Sequence, residues 1–368
     1  MFSSIQIQGY RGLQRFEMNN LGRLNLLVGT NNSGKTSVLE ALYLLTTRGE
    51  PSSLWQLLWR RGERSLSDAR NPRNPDIEFD VSHLFSGHQV ELGTRFTLTA
   101  RNKEPERSIT FAIGKWTPKD RSDAQASVAP TRLALHISGE PTPPVPSLPL
   151  SRSGGINAES LEMSPRRPPI RRVSHDLDPS QFITTDSVDS DGLVALWDRV
   201  ALTPNETLVL RALQFLDPSI ERIAAQATPN YYGIRTRGGF IVKLRGQEQP
   251  IQIGSMGDGM WRMLAMAIAI TQCKGGVLLV DEIDTGLHYT VMADMWKLIF
   301  SAARELDVQV FATTHSFDCI ESLARACVSE GTVGGQVTLQ RIEAGKASAV
   351  PYSESEIAVA AERNIEVR

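Results

Sequence analysis

The stretch Gly29-Thr30-Asn31-Asn32-Ser33-Gly34-Lys35-Thr36 has the residue types and spacing to hold a polyphosphate. Its glycines let the backbone curl until successive N–H groups face inward, and a following helix N-terminus adds partial positive charge. Lys35 is placed to reach β- and γ-phosphate oxygens, and Thr36 to set its hydroxyl on Mg²⁺. Gly29, Asn31, Asn32, Ser33, Gly34 and Ser37 complete the candidate phosphate cradle. A second group is Asp281-Glu282, two carboxylates closing the apolar run Gly276–Val280. Acidic residues at the end of a buried strand are costly unless a cation sits there, so Asp281 is read as a Mg²⁺ ligand and Glu282 as the group that orients or deprotonates an attacking water. A third is Thr314-His315-Ser316, where His315 could bond a γ-phosphate or that water. A fourth is the glycine-rich turn Gly254-Ser255-Met256-Gly257-Asp258-Gly259, with Ser255 as a cap or phosphate donor.

These residues act together only if particular elements carry them. The apolar run Leu24–Val28 reads as a buried strand before the phosphate loop, and Thr36–Leu45 as a helix after it. Gly276–Val280 and Val308–Thr313 are short, continuous apolar runs, as expected of parallel strands buried on both faces. In a parallel sheet the carboxyl ends of strands gather ligands, which would bring Asp281, Glu282 and His315 to one edge. Met260–Ile270 reads as a long apolar helix fed by the second glycine-rich turn. One nucleotide has no need of two such turns, so the second would close over the nucleotide of another copy. The fold class is α/β.

Composition narrows the alternatives. The chain has 368 residues, 41% of them hydrophobic, and a formal net charge of -2. That is enough to bury a large core, and the balance gives no chain-wide electrostatic case for wrapping nucleic acid. Cys273, Cys319 and Cys327 lack metal-ligand spacing and suit a reducing cytoplasm. The N-terminus lacks the marks of a secretory leader and the run Met263–Ile270 is too short to span a bilayer, so a cytoplasmic protein without membrane contact is expected.

The remaining segments supply the frame. Ser4–Asn19 alternates apolar and polar residues around a turn at Gly9–Leu13, a hairpin that places Arg11 near the sheet carrying the phosphate loop. Arg11 there either contacts nucleotide or is a solvated turn residue. A short helical pattern around Trp55, Leu58 and Trp59 precedes a basic cluster of Arg60, Arg61, Arg64, Arg70 and Arg73, which reads as a solvated face ahead of a binding patch. Ile77–Thr99 and Ser108–Ile113 alternate as strands of a β-rich region. Residues 116–190 are rich in Pro, Ser and charge, with one strand-like interruption at Arg132–Ile137, and are expected to be a flexible insertion whose basic core could touch DNA or a partner. Gly192–Val200 and Asn205–Leu216 read as a small helical lobe, and Tyr231–Leu244 as two strands about Gly238-Gly239. His288 divides evenly between an interface contact and a helix start. No heptads are sustained, which excludes long coiled-coil arms.

Taken in order, these pieces resemble the ABC-type ATPase superfamily, particularly its RecF, SMC and OLD-like bacterial branch. The matching residues are Ile5-Gln-Ile-Gln-Gly-Tyr-Arg-Gly-Leu13, the Walker A loop at Gly29–Thr36, a signature at Ser255-Met-Gly-Asp-Gly259, Walker B at Val280-Asp-Glu-Ile-Asp284, a D-loop at Thr285-Gly-Leu-His288 and a switch histidine at His315. The resemblance covers 1–115 and 190–368. It implies an ABC-type P-loop head with a mixed or parallel core sheet, a β-rich subdomain and a small helical lobe, divided as 1–115, 116–190 and 191–368. It also implies ATP and Mg²⁺ as ligands and a homodimer or higher oligomer that closes on ATP. Ser255 and Gly257 would then act in trans, Lys35 and His315 would assist the chemistry, and Glu282 would be the catalytic base.

Two departures stand out. The signature lacks the usual run ending Gly-Gly-Gln, and the Q-loop has only Gln56 and Gln89 as candidates. The stretch after His315 is too short for the Toprim domain of OLD nucleases, so the chain resembles stand-alone ATPases that work beside a separate nuclease or toxin in anti-phage systems. A RecF-like, DNA-binding repair ATPase and a nucleotide-gated scaffold with little turnover are the alternatives. An ABC transporter motor fits poorly because of the N-terminal strand and the large insertion.

Overall fold

The computed structural model describes residues 1–66, 77–101, 106–116, 133–140, 147–151, 153–158, 178–184, 190–226, 239–329, 336–363, 365 and 367. Strands β1 (Ser4–Tyr10) and β2 (Leu13–Met18) form the N-terminal hairpin, and β3 (Leu24–Val28) runs through the phosphate loop into α1 (Lys35–Thr46) and α2 (Pro51–Arg61). A β-rich region follows: β4 (Arg64–Leu66), β5 (Ile77–Asp80), β6 (Arg95–Arg101), β7 (Arg107–Lys115), β8 (Leu133–Glu140), β9 (Leu148–Pro149), β10 (Gly155–Asn157) and then β11 (Ser180–Ile183). Helices α3 (Ser190–Trp197) and α4 (Asn205–Gln214) with strands β12 (Ile220–Ala225), β13 (Phe240–Leu244) and β14 (Ile251–Gln252) form a side lobe. The chain closes with α5 (Asp258–Thr271), β15 (Val277–Val280), α6 (Tyr289–Glu305), β16 (Gln309–Thr313), α7 (Phe317–Ser329), β17 (Val337–Arg341), β18 (Val350–Ser353) and α8 (Glu354–Glu362).

The central sheet has the order β11-β15-β16-β3-β17-β18. Its first five strands pair in parallel and β18 closes one edge antiparallel to β17. Every residue of β3, β15 and β16 is buried, which is why these strands read as unbroken apolar runs. Alternate side chains enter two different cores. Leu24, Leu26, Val28, Leu278, Val280, Val310 and Ala312 pack with α5, α6 and α7 on one face. Leu27, Val277, Leu279 and Phe311 pack on the other with α1, α2 and the antiparallel sheet β2-β1-β6-β7-β8-β9. Period-two alternation is the geometric property that lets one strand serve both layers.

Where described, residues 116–190 are more ordered than the expected flexible insertion: β8 falls on the anticipated strand-like interruption at Arg132–Ile137, and β9, β10 and β11 are further strands. β8 pairs with β7 along its whole length, from Ser108 opposite Glu140 to Lys115 opposite Leu133. β11 is a strand of the central sheet, parallel to β15 from Ser180 beside Val277 to Ile183 beside Val280. Both strands borrow their stability from long-range partners, which composition cannot register. The Pro-rich stretches 141–146 and 166–172, Arg70, Arg73 and residues 231–238 of the expected strand pair lie outside the described residues. Among the described residues no helix is long and apolar enough to cross a membrane, and the three cysteines are buried and unbridged.

Candidate nucleotide site

The phosphate loop is built so that its backbone, not its side chains, lines the cradle. Gly29 has φ +145°, and a Cβ there would overlap the carbonyl oxygen of Ile342, so only glycine fits between β3 and the turn after β17. Ser33 and Lys35 are buried, whereas Thr30, Asn31 and Asn32 are exposed; Gly34, Thr36 and Ser37 are half-buried. The Lys35 ammonium donates to the carbonyls of Gly29 and Thr30, 2.8 Å each, folding it back over the loop. Burial lowers its pKa from the usual lysine range, and the charges of Asp281 and Glu282 pull it back up. The Ser33 hydroxyl has no partner although its oxygen is inaccessible. A buried, unsatisfied hydroxyl in such a loop is a donor available to a phosphate oxygen.

The neighbouring strand ends complete the cluster. The Thr36 hydroxyl donates to Asp281 Oδ2 at 3.0 Å. From β16, the Thr313 hydroxyl donates to Asp281 Oδ1 at 2.6 Å while its oxygen accepts the Glu282 N–H at 2.8 Å. Glu282 has φ +46°, a left-handed backbone unusual for a residue with a Cβ. That turn aims its carboxylate away from the core, half-exposed, with Oε1 3.9 Å from Nε2 of His315. Asp284 accepts from the Thr314 hydroxyl at 2.7 Å, tying the segment after the acidic pair to the histidine turn.

Arg262 is the largest element that sequence reading missed. It projects from α5 into the core and donates to the carbonyls of Thr184 at 2.6 Å, Asp281 at 2.6 Å and Glu282 at 3.0 Å. It therefore clamps the end of β11 to both acidic residues. Burial lowers its pKa, opposed by the carboxylates of Asp281, Asp284 and Glu282. The available signal was an arginine alone inside the apolar run Met260–Ile270. Thr313 carried a weaker one, a hydroxyl at the end of an apolar strand.

Other expected residues lie apart from this cluster. Arg11 is a correction of the solvated reading: its guanidinium is buried and paired with Glu40, 2.7 Å away, and with Glu63 at 2.6 Å, so it braces the hairpin against α1 and the turn after α2. Ser255 is a correction as a cap, since it lies in the single turn Ile253–Met256 and α5 is capped by the Gly257 backbone without any side-chain bond. Ser255 and Gly257 are exposed. His288 starts α6 with Nδ1 2.9 Å from the Thr290 hydroxyl. Gln56 accepts from the Tyr43 hydroxyl at 2.7 Å and Gln89 is exposed on a distant turn. The described arginines of the basic cluster are exposed, as a solvated face requires, and each has a partner in its own chain: Arg60 bonds the Phe182 carbonyl, Arg61 pairs with Glu40 and Arg64 stacks over Trp59.

The chain is similar to several known proteins. Residues 24–318 match the family described as "AAA domain, putative AbiEii toxin, Type IV TA system". An ATP/GTP phosphatase of Helicobacter pylori is 20% identical over 351 residues, spanning 88% of this chain and 87% of that protein. An uncharacterized protein of Methanocaldococcus jannaschii, MJECL10, is 36% identical over 92 residues, 23% of this chain and 42% of its own length. Among solved structures, the SMC head bound to the C-terminal winged-helix domain of ScpA superposes with a TM-score of 0.50 at 13% identity, covering 96% of this chain and 97% of that one. The likeness to the SMC head is one of fold.

Proposed function

From the premise that the chain belongs to the AAA-domain, AbiEii-type family, we propose that two copies close on ATP, hydrolyse it and pass the resulting motion to a separate effector protein. The chain is an ATPase of the ABC-type P-loop class. The observation that carries the fuller reading is the meeting of Thr36 with Asp281 at 3.0 Å beside the Glu282–His315 pair at one edge of the central sheet.

The donor set, a hydroxyl beside a carboxylate at a phosphate loop, fits a hard divalent cation. Thr36 and Asp281 would hold Mg²⁺, which when bound offsets charge on the β- and γ-phosphate oxygens. Lys35 exchanges its two loop carbonyls for phosphate oxygens as ATP enters. Glu282 accepts the proton of the attacking water, and His315 donates to the γ-phosphate from beside that carboxylate. Thr313 and Arg262 hold the Glu282 backbone in its left-handed turn, so that the base is aimed before substrate arrives. Ser255 and Gly257, exposed and outside this cluster, serve the nucleotide of the second copy.

The family's description as a toxin of a type IV system supports a nuclease or toxin as the partner, in anti-phage defence. The DNA-repair alternative stands lower, because Arg60, Arg61 and Arg64 are engaged with Phe182, Glu40 and Trp59. The test is Glu282→Gln, which keeps the carboxylate's shape and removes its basicity. ATP binding should persist while turnover falls by about 10²-fold or more and dimers accumulate with ATP. Unchanged turnover would sink the assigned role.

A further inference from the structure

Asp80, His83 and His88 stand together outside the nucleotide site. The Nδ1 atoms of His83 and His88 face each other at 3.2 Å, with ring centroids 4.8 Å apart and planes inclined by 68°. On its other side, His83 presents Nε2 to Asp80 Oδ2 at 3.6 Å. We infer that His83 and His88 chelate one divalent transition ion of the zinc, nickel or copper class through their Nδ1 atoms.

Three features of the geometry support this. An ion about 2.0–2.1 Å from each nitrogen at a tetrahedral angle needs the nitrogens about 3.3–3.4 Å apart, close to the spacing observed. The Asp80 carboxylate beside Nε2 favours the tautomer with the proton on that nitrogen, which makes the Nδ1 of His83 the acceptor of the His88 Nδ1–H; the ion takes the place of that proton, which moves to Nε2 of His88 or to water. At 3.6 Å the carboxylate acts on the ring by its charge alone, which still strengthens the imidazole as a ligand. The rings are also held in advance of any ion. Leu84 and Phe85, between them in sequence, are buried. The Leu84 carbonyl accepts the Arg11 N–H at 2.9 Å, the Ser86 N–H donates to Gly9 at 2.9 Å, and Asp80 Oδ1 accepts the Ser82 N–H at 2.8 Å. His88 takes φ +57°, a left-handed turn that returns its ring toward His83.

Two imidazoles select a borderline metal over Mg²⁺, so the site is chemically separate from Thr36 and Asp281. Both rings are solvent-exposed, leaving the remaining coordination positions to water. The loop is joined to the head through Arg11, whose guanidinium reaches the His83 carbonyl at 3.4 Å as well as Glu40 of α1. An ion across the two rings would stiffen that connection.

The experiment is titration of the full, nucleotide-free chain with Zn²⁺ and Ni²⁺ in excess Mg²⁺, which saturates oxygen-donor sites. One equivalent is expected for the wild type and for His136→Gln, and its loss for His83→Gln and His88→Gln. Asp80→Asn should retain the site at about 10-fold lower affinity. With Cu²⁺, electron paramagnetic resonance should show coupling to two nitrogens in the wild type and one in each histidine variant. Circular dichroism verifies that the variants fold, which substitution at exposed rings permits. A wild type that binds no ion, or histidine variants that bind like the wild type, overturns the assignment and leaves a hydrogen-bonded pair.

Discussion

Two glycine-rich turns feed helices in this molecule, and they are finished to different degrees. At the first, Gly29 packs against the Ile342 carbonyl, Ser33 and Lys35 are buried, and Thr36 is bonded to Asp281. At the second, Ser255, Gly257 and Asp258 are exposed; neither helix start, Gly34 before α1 nor Gly257 before α5, has a side-chain cap. A Cβ on Gly257 would meet nothing, although its φ of +93° is a glycine conformation. The first turn is packed into its own chain, with the Ser33 hydroxyl left unpartnered, and the second faces outward. Helix starts call for a partner, and under the proposed function one turn would serve the chain's own nucleotide and the other a neighbour's.

The comparison can be broken most forcefully at Lys35. Lys35→Ala should lower turnover by about 10³-fold with the fold intact by circular dichroism, because it removes the charge aimed at the transferred phosphate. Retained turnover would detach hydrolysis from the first turn. Gly257→Ala is the matching test of the second. It should cost about 1–2 kcal/mol of stability from the left-handed backbone and lower turnover by about 10²-fold while ATP still binds. Mixing the Lys35 and Gly257 variants should then restore turnover that neither has alone, since a mixed pair contains one intact site. No recovery across the mixing ratio would place the second turn in its own chain's site.

Arg262 sharpens the contrast, because it reaches from the helix that begins at the second turn to the strand end that serves the first. Arg262→Met leaves the carbonyls of Thr184, Asp281 and Glu282 without their donor and should lower unfolding free energy by about 3 kcal/mol. Arg262→Lys should fold better yet lose kcat more than KM, because one ammonium cannot span three carbonyls. Equal losses in both constants would make the role purely structural.

The smallest effect belongs to a third helix start. At α8, Ser353 and Glu356 form the reciprocal cap that α5 lacks. Ser353→Ala should cost about 1 kcal/mol. The Ser353 hydroxyl and backbone hold the Glu356 carboxyl below its usual pKa. A depressed carboxylate contributes stability above its unfolded pKa and loses it as pH falls through the folded value. The gap between wild type and variant should therefore narrow as denaturation is followed from neutral pH down through the carboxylate range. A gap independent of pH would remove the charged partner from the cap.

Local chemistry was legible wherever it is contiguous. The residues of the phosphate loop, the acidic pair and the histidine turn are each adjacent in sequence, and the burial of their strands shows as unbroken apolar runs. β11 was hidden because four residues carry little periodicity, and its place beside β15 is decided by pairing across the sheet. Arg11 was ambiguous for a related reason: its partners, Glu40 and Glu63, sit on other elements.

The sequence by itself determined the strand, loop and helix around Lys35, the buried parallel strands and the order of the motifs, because glycine placement and residue periodicity act over a few neighbouring residues. Only the tertiary structure decided that Thr313 and Arg262 hold Glu282, that Arg60 and Arg61 at the end of α2 find partners in Phe182 and Glu40, and that His83 and His88 meet. Those outcomes depend on hydrogen bonds and ion pairs between groups far apart in the chain, and their geometry exists only once the sheet has ordered its strands.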